Sequence, residues 1–417
     1  MKKLIAFLLA LTLLMAGKTA AVNVSTPTWL LVDGASGRIL AGEQFDTPIF
    51  PASTTKILTA LVLLEYVEPF DYVTVGPEIT MVGWDSSIAR LVQGDILTVT
   101  DIVMAMMLPS GNDAAFTAAV FTARRAAGNP ALAPEEALAK FAELMNETAG
   151  SLGASNSNFV TPCGFHHPEH YSTARDMAII SLAALEVPLI RRAASTREYS
   201  TQIVSSIGPT QRSWQNTNQL LHPGSPYFYP EAIGLKSGRT AQAGFCLISL
   251  ANRQGLEALV LVFGGSREGR WQDSRLLLEH FFNHYQAETL GQKDVAAVIW
   301  GDLPVGPKTN QMAVLNREES ESLRVEFVPD SALVGRNGPK RPLNQGQVVG
   351  TLLWLVNQEV VAQEQALALS DLPRPFLLRP IGLALMALPL LLLLLVHCHF
   401  RRQRRTLSRR YTYYRTR

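Results

Sequence analysis

Pro51-Ala52-Ser53-Thr54-Thr55-Lys56, followed by the run Ile57 to Tyr66, decides how the rest of the chain is read. The hexapeptide contains S-x-x-K, and the Leu, Ala and Val content of the run favours a buried helix. Residues three apart share a helical face, so Ser53 Oγ and Lys56 Nζ can meet within hydrogen-bond reach without help from the rest of the fold. A serine hydroxyl becomes a useful nucleophile only when a neighbour takes its proton. A lysine does so only when desolvation or nearby positive charge holds its pKa down. Leu58, Leu61, Val62 and Leu64 supply an apolar setting. The competing reading is that Ser53 merely caps a helix, because S-x-x-K also arises by chance.

Two further stretches favour chemistry. After the periodic segment Asp101 to Leu108 comes Pro109-Ser110-Gly111-Asn112-Asp113, an S-x-N where helix gives way to loop. Later, Gly234-Leu235-Lys236-Ser237-Gly238-Arg239-Thr240 precedes the strand-like run Phe245 to Leu250. This reads as K-[ST]-G on a strand, with Gly238 letting another backbone lie close beside it. S-x-x-K, S-x-N and K-[ST]-G in this order resemble the signature of the penicillin-interacting serine acyl transferases.

The stretches between the motifs narrow that resemblance. Ala35 to Leu40, Pro51 to Leu58, Gly94 to Ala115, Phe141 to Gly153, His170 to Met177 and Asn216 to Leu221 are similar to the serine D-alanyl-D-alanine carboxypeptidases, the low-molecular-weight penicillin-binding proteins. Class A β-lactamases share the three motifs but not these intervening stretches. Two positions depart from the family pattern: K-S-G replaces the usual K-T-G, and Arg239 stands where another residue is common. Serine keeps the hydroxyl of threonine, so activity is expected to survive while substrate preference shifts.

The resemblance implies an α+β fold, a sheet packed against a helical cluster as in the penicillin-binding/β-lactamase-like transpeptidase domain. It implies that Ser53 attacks the carbonyl between two D-alanines of a peptidoglycan stem peptide, giving an acyl-enzyme, with Lys56 as the base. Ser110 would relay a proton to the leaving amine, tuned by Lys236. Asn112 would bind the substrate amide or fix Lys56. The oxyanion donors implied are the backbone N–H groups of Ser53 and Arg239 on the Gly238-containing strand. Thr240, Ser237 and Arg239 would hold the terminal carboxylate. Penicillin would acylate Ser53 and leave slowly. No cofactor and no metal is expected.

Composition agrees with an exported, anchored enzyme. The 417 residues are 47% apolar and carry a formal charge of +2. That charge hides an asymmetry: eight arginines lie between Arg401 and Arg417, and once these and Lys2, Lys3 and Lys18 are set aside, acids outnumber bases. A basic stripe for nucleic acid is therefore not expected in the globular part. Lys2-Lys3, the apolar Leu4 to Met15 and the small residues Thr19-Ala20-Ala21 read as a signal peptide over 1–21, an uncleaved anchor being the alternative. Cys163 and Cys246 are expected to be small buried residues rather than a pair, and Cys398 falls in the last apolar stretch. His166-His167-Pro168-Glu169-His170 lacks the spacing of a zinc helix. The resemblance implies that His170, with Arg175 and Asp176, belongs to the loop and helix that support the site; Asp113 is expected to help a helix start.

Along the chain, Trp29 to Asp33 and Arg38 to Leu40 predict a β-hairpin. Ser53 to about Ala184 reads as helix-rich, with loops at Val75 to Gly83 and Ala126 to Pro134, while Asp85 to Leu91 is open between strand and loop. Gln202 to Ser206, Phe245 to Leu250 and Leu256 to Phe263 read as strands and Asp273 to Tyr285 as a helix. Terminal strands paired in one sheet follow. Residues 22–290 are thus expected to form the catalytic domain. From 291 to 370, Val295 to Ile299, Met312 to Leu315, Leu323 to Phe327, Val348 to Val356 and Val360 to Gln363 predict a small all-β domain, a spacer without catalytic motif. Residues 376–400 are long enough to span a bilayer, and the basic 401–417 would stay cytoplasmic, leaving Ser53 outside. The alternatives on the same scaffold are a β-lactamase, a peptidoglycan endopeptidase and an idle wall-binding protein. Oligomeric state is not legible.

Overall fold

Near-continuous apolar runs on three neighbouring strands give this protein a sheet that is buried on both sides. The computed structural model describes residues 22–83, 86–291, 293, 295, 298–335, 338–374 and 380–413, the last ten by backbone alone. The expected signal peptide, Asp85 and the first residues of the expected span lie outside these. The described residues group into two compact units, one within 22–287 together with Val314–Arg317, the other within Glu288–Ala313 and 318–413.

The first unit is built on five antiparallel strands: β1 (Thr28–Asp33), β2 (Ile39–Glu43), β7 (Ala232–Thr240), β8 (Gly244–Arg253) and β9 (Leu256–Gly265), in the order β2-β1-β9-β8-β7. The N-terminal strand pairs with β9, Leu30 opposite Leu261, so the two ends of the unit close one sheet. Leu30, Val32, Ile248, Leu250, Leu259 and Leu261 face the helical cluster. Leu31, Leu247, Val260 and Val262 point the other way, onto Trp271, Leu277 and Phe281 of α7 (Gly269–His284). Each such side chain, wholly removed from water, contributes about 1.5–3 kcal/mol. Near-continuous apolar runs are the pattern expected of strands covered on both faces.

The cluster comprises α1 (Lys56–Tyr66), α2 (Val99–Met107), α3 (Asn112–Ala126), α4 (Pro134–Leu152), α5 (Ala174–Leu185) and α6 (Pro188–Ser195). Thr98 and Asp101 form a reciprocal capping box at the start of α2. Four further strands, β3 (Tyr72–Thr74), β4 (Ile96–Thr98), β5 (Glu198–Ser205) and β6 (Gly208–Gln215), form a second antiparallel sheet. The middle, Ser53 to about Ala184, is helix-rich as expected; β3 and β4 are additions to it, three residues each and too short to show a period. The described part of the Asp85 to Leu91 stretch is a loop, with Arg90 at φ 62°.

In the second unit, strands at Ile299–Trp300, Leu303–Pro307, Glu359–Ala368, Val348–Val356 and Arg324–Pro329 lie side by side in that order. Of the expected strand from Val295 to Ile299, residues 296 and 297 lie outside the described residues and Ile299 belongs to the strand Ile299–Trp300; Leu303–Pro307 is an addition, and its Leu303 and Val305 are buried, as are Leu352 and Trp354. The final helix, α8 (Pro380–Tyr413), contains a stretch, Pro380–Gln403, long and apolar enough to cross a membrane, with its side chains almost wholly exposed.

Candidate active site

Ser53 sits on a single 3-10 turn, Ala52–Thr55, that runs directly into α1. It does not cap that helix: the residue before the first helical turn is Thr55, and no side chain caps it. Ala52 has φ 48°, a left-handed conformation that costs a non-glycine residue about 1–3 kcal/mol. Two close approaches hold it there. A Cβ on Gly164, at φ 81°, would come 1.8 Å from the Ala52 carbonyl oxygen, so only glycine lets the 158–164 loop lie against the turn. A Cβ on Gly238 would come 3.0 Å from the Ser53 nitrogen, which places β7 directly beside the Ser53 backbone.

Lys56 is wholly buried. Its Nζ lies 3.0 Å from Ser53 Oγ, 2.6 Å from Asn112 Oδ1 and 3.0 Å from the Cys163 carbonyl oxygen. Burial lowers the amine to about 8, against smaller opposing contributions from Cys163 and Asp113. A neutral amine has two N–H bonds and one lone pair. Asn112 Oδ1 and the Cys163 carbonyl accept only, so they take the two protons and leave the lone pair for the Ser53 hydroxyl. The geometry therefore suits proton transfer from Ser53 to Lys56.

S-x-N enters through strained backbone as well. Ser110 is buried with φ 64°, and it hands over to Gly111 and the first turn of α3, where Asn112 begins. The Asn112 N–H donates to the Ser87 carbonyl (2.8 Å) and Ser87 Oγ to the Pro109 carbonyl (2.7 Å). Asp113 accepts from the Ala89, Leu91 and Ala114 N–H groups at 2.8, 3.0 and 2.9 Å. It thus does more than start a helix: it fastens the 86–91 loop, which Trp214 also holds by donating from Nε1 to the Ala89 carbonyl at 2.8 Å.

The third motif lies along β7. Lys236 is buried, and its Nζ donates to the Ser237 carbonyl at 3.1 Å. Burial, then repulsion from Lys56 and Arg270, holds its amine well below the usual lysine range. Ser237 Oγ meets Thr217 Oγ1 at 3.1 Å. Thr240 Oγ1 accepts from the Ala243 N–H at 2.9 Å, so its hydroxyl shapes the β7–β8 turn. Arg239 is exposed, its guanidinium 5.3 Å from the Phe245 ring centroid.

Residues outside the three motifs complete the arrangement. Arg270, at the start of α7, places a terminal nitrogen 3.4 Å from the Gly238 carbonyl, and its Nε is buried without a partner. Burial, then repulsion from Arg267 and Arg239, brings this guanidinium down to about 10, with Cys246 and Glu268 acting the other way. A lone arginine on an amphipathic helix carries no sequence signal. Cys163 contributes a backbone oxygen, which no side-chain pattern reveals. Cys163 and Cys246 are both buried and free, and among the described residues no group of three or more His, Cys, Asp or Glu side chains forms a metal site.

His170 supports the turn from behind. Its Nδ1 accepts from the Val160 and Thr161 N–H groups (3.0 and 3.3 Å), which fixes the proton on Nε2, 2.9 Å from Thr55 Oγ1. Burial, then repulsion from His167 and His166, lowers the imidazole to about 4. In the unfolded chain the ordinary value applies, so between pH 6.5 and about 4 the unfolded state binds the extra proton. The contribution of neutral His170 is complete above pH 6.5 and is lost as pH falls to about 4, a change on the order of 3 kcal/mol. Urea unfolding at pH 7 and pH 4.5 should show that His170→Gln is less acid-sensitive than the native chain; equal sensitivity would refute this role.

Over residues 15–267 the sequence matches Peptidase_S11, D-alanyl-D-alanine carboxypeptidase. It is 28% identical over 384 residues to the D-alanyl-D-alanine carboxypeptidase DacC of Escherichia coli (strain K12), an alignment covering 88% of this chain and 89% of that protein. It is 31% identical over 282 residues to the D-alanyl-D-alanine carboxypeptidase of Streptomyces sp. (strain K15), covering 64% and 92%. The crystal structure of the Streptomyces K15 DD-transpeptidase superposes with a TM-score of 0.57 at 28% identity, over 64% of this chain and 100% of that one. DacD from Francisella tularensis shares the fold over 87% of this chain and 97% of its own, with a TM-score of 0.63 at 20% identity. A match that takes in Ser53, Lys56, Ser110 and Lys236 and spans well over half the sequence means that this chain belongs to the Peptidase_S11 family, D-alanyl-D-alanine carboxypeptidase.

Proposed function

We propose that the protein is a serine D-alanyl-D-alanine carboxypeptidase that removes the terminal D-alanine from peptidoglycan stem pentapeptides and is acylated by penicillin. The observation that carries this reading is the buried Lys56 amine, held by two acceptors with its remaining valence on Ser53 Oγ. Ser53 Oγ attacks the carbonyl carbon and its proton passes to Lys56. The oxyanion takes the backbone N–H groups of Ser53 and Arg239. Ser110 delivers a proton to the leaving nitrogen and takes in return the one that Lys56 accepted, so the amine is neutral again; the C–N bond breaks and D-alanine departs. Water then attacks the ester, Lys56 takes its proton, and the shortened peptide leaves as Ser53 is reprotonated.

Asn112 fixes Lys56 in this scheme, since its Oδ1 is spent on the amine. Ser237, Thr240 and Arg239 line the path of the terminal carboxylate, and Arg270 adds the charge that pairs with it. Arg270→Gln should raise KM for diacetyl-lysyl-D-alanyl-D-alanine by about 10- to 100-fold, the usual loss for a hydrogen bond to a charged group. An unchanged KM would remove Arg270 from the binding set. Rapid hydrolysis of penicillin by the protein, in place of a lasting acyl-enzyme, would favour a β-lactamase instead.

Residues 22–290 act as the catalytic domain in this reading, and the β-rich part as a spacer above the membrane. The apolar helix anchors the chain as a single span, its arginines on the cytoplasmic side and Ser53 outside. The test is direct: incubating the full-length protein in detergent with diacetyl-lysyl-D-alanyl-D-alanine should release free D-alanine, and penicillin should stop the release. No release would overturn the assignment.

A further inference from the structure

Three guanidinium groups surround one aromatic ring at the mouth of this site. Those of Arg239, Arg270 and Arg267 lie 5.3, 4.8 and 6.0 Å from the centroid of Phe245. The sheet explains their convergence. Phe245 on β8 is paired with Arg239 of β7 on one side and with Gly265 of β9 on the other, two residues before Arg267. Arg239 in turn follows Gly238, whose position against the Ser53 nitrogen sets the cluster beside the nucleophile. Arg239 and Arg267 are exposed. Among the described residues none of the three forms an ion pair.

Three cations brought together with Glu268 as the one acid acting on Arg270 repel, and the lowered guanidinium of Arg270 records that repulsion beside the effect of burial. A substrate ending in D-alanine brings one carboxylate, which one guanidinium fork can pair. Positive charge then remains in excess, even with Glu268 beside Arg270. Stacking on Phe245 orients a guanidinium through its face and leaves its N–H edge open to a further anion.

We propose that Arg239 and Arg267 form a subsite for a second carboxylate, carried by the side chain of the residue that leaves, so that the enzyme also cleaves stem peptides ending in D-glutamate or D-aspartate. This deepens the carboxypeptidase reading and rests on it. The chemistry is unchanged: the acyl group passes to Ser53 Oγ, the amide C–N bond breaks, the acidic D-amino acid leaves with the proton that Ser53 gave up, and water hydrolyses the ester. The cluster supplies selectivity at the leaving residue.

The test compares three peptides with the full-length protein in detergent: diacetyl-lysyl-D-alanyl-D-alanine, and the same peptide ending in D-glutamate or in its neutral isostere D-glutamine. At low salt, kcat/KM for the D-glutamate peptide should exceed that for the D-glutamine peptide by about tenfold, and the ratio should shrink as salt rises. Arg267→Gln should bring the ratio close to one while leaving release of D-alanine from the first peptide within about twofold, and Arg267→Lys, which keeps the charge but loses the planar fork stacked on Phe245, should keep only part of the preference. A D-glutamate peptide cut no faster than the D-glutamine peptide, or a ratio untouched by Arg267→Gln, would overturn the subsite alone. No release from the D-alanyl-D-alanine peptide would overturn the reading on which it rests.

Discussion

Lys56→Met should slow acylation by a β-lactam by about 10²- to 10⁴-fold, the span usually supplied by a positioned general base. Methionine fills a similar volume, so thermal unfolding should show the variant folded, while Asn112 Oδ1 and the Cys163 carbonyl lose their donor. The pH profile separates a base from a packing residue. With the Lys56 amine at about 8, roughly a tenth of it is neutral at pH 7, so the native rate should climb about tenfold as pH rises through 8 and then level off. The residual rate of Lys56→Met should lack that climb. A variant that keeps the rise would show that the titrating group lies elsewhere.

Gly164→Ala is the second change with a large expected effect, although it touches no reacting atom. The new Cβ would meet the Ala52 carbonyl at 1.8 Å, and the 81° φ of residue 164 disfavours any side chain. Backbone cannot rotate aside as a long side chain can. Either the loop retreats, withdrawing the Cys163 carbonyl from Lys56, or the strained turn around Ala52 moves and takes Ser53 with it. Overpacking and left-handed strain together should cost about 3 kcal/mol or more, some 6–12 °C in Tm for a unit of this size. Acylation should fall by at least about tenfold, since small misplacements of reacting groups are costly. A variant with native Tm and native acylation would mean that the close approach of loop and turn is unimportant.

These two residues also show what the sequence discloses. S-x-x-K could be read because its two side chains meet through local spacing, and the K-S-G strand because apolar strands flank it. The terminal pairing of β1 with β9 followed from strands at the two ends of the unit. The Cys163 carbonyl, 107 residues from Lys56, left no mark, because a backbone oxygen has no residue type. Arg270 stood alone in an amphipathic helix. Its meaning comes from the Gly238 carbonyl and the Phe245 ring, both brought to it by the sheet. β6 escaped notice because Gly208–Gln215 is largely polar, with Trp214 its only buried residue. Ala52 and Ser110 read as ordinary residues, and their left-handed backbone appears only once Gly164, Gly238 and the 86–91 loop are packed around them.

The account depends on Ser53 being the atom that accepts the acyl group. Mass spectrometry of the penicillin-treated full-length protein, followed by peptide mapping, tests that point most directly. The account predicts one covalent penicilloyl group per chain, carried by the peptide containing Ser53 and absent from Ser53→Ala. An adduct on another residue, or one that persists in Ser53→Ala, would contradict it.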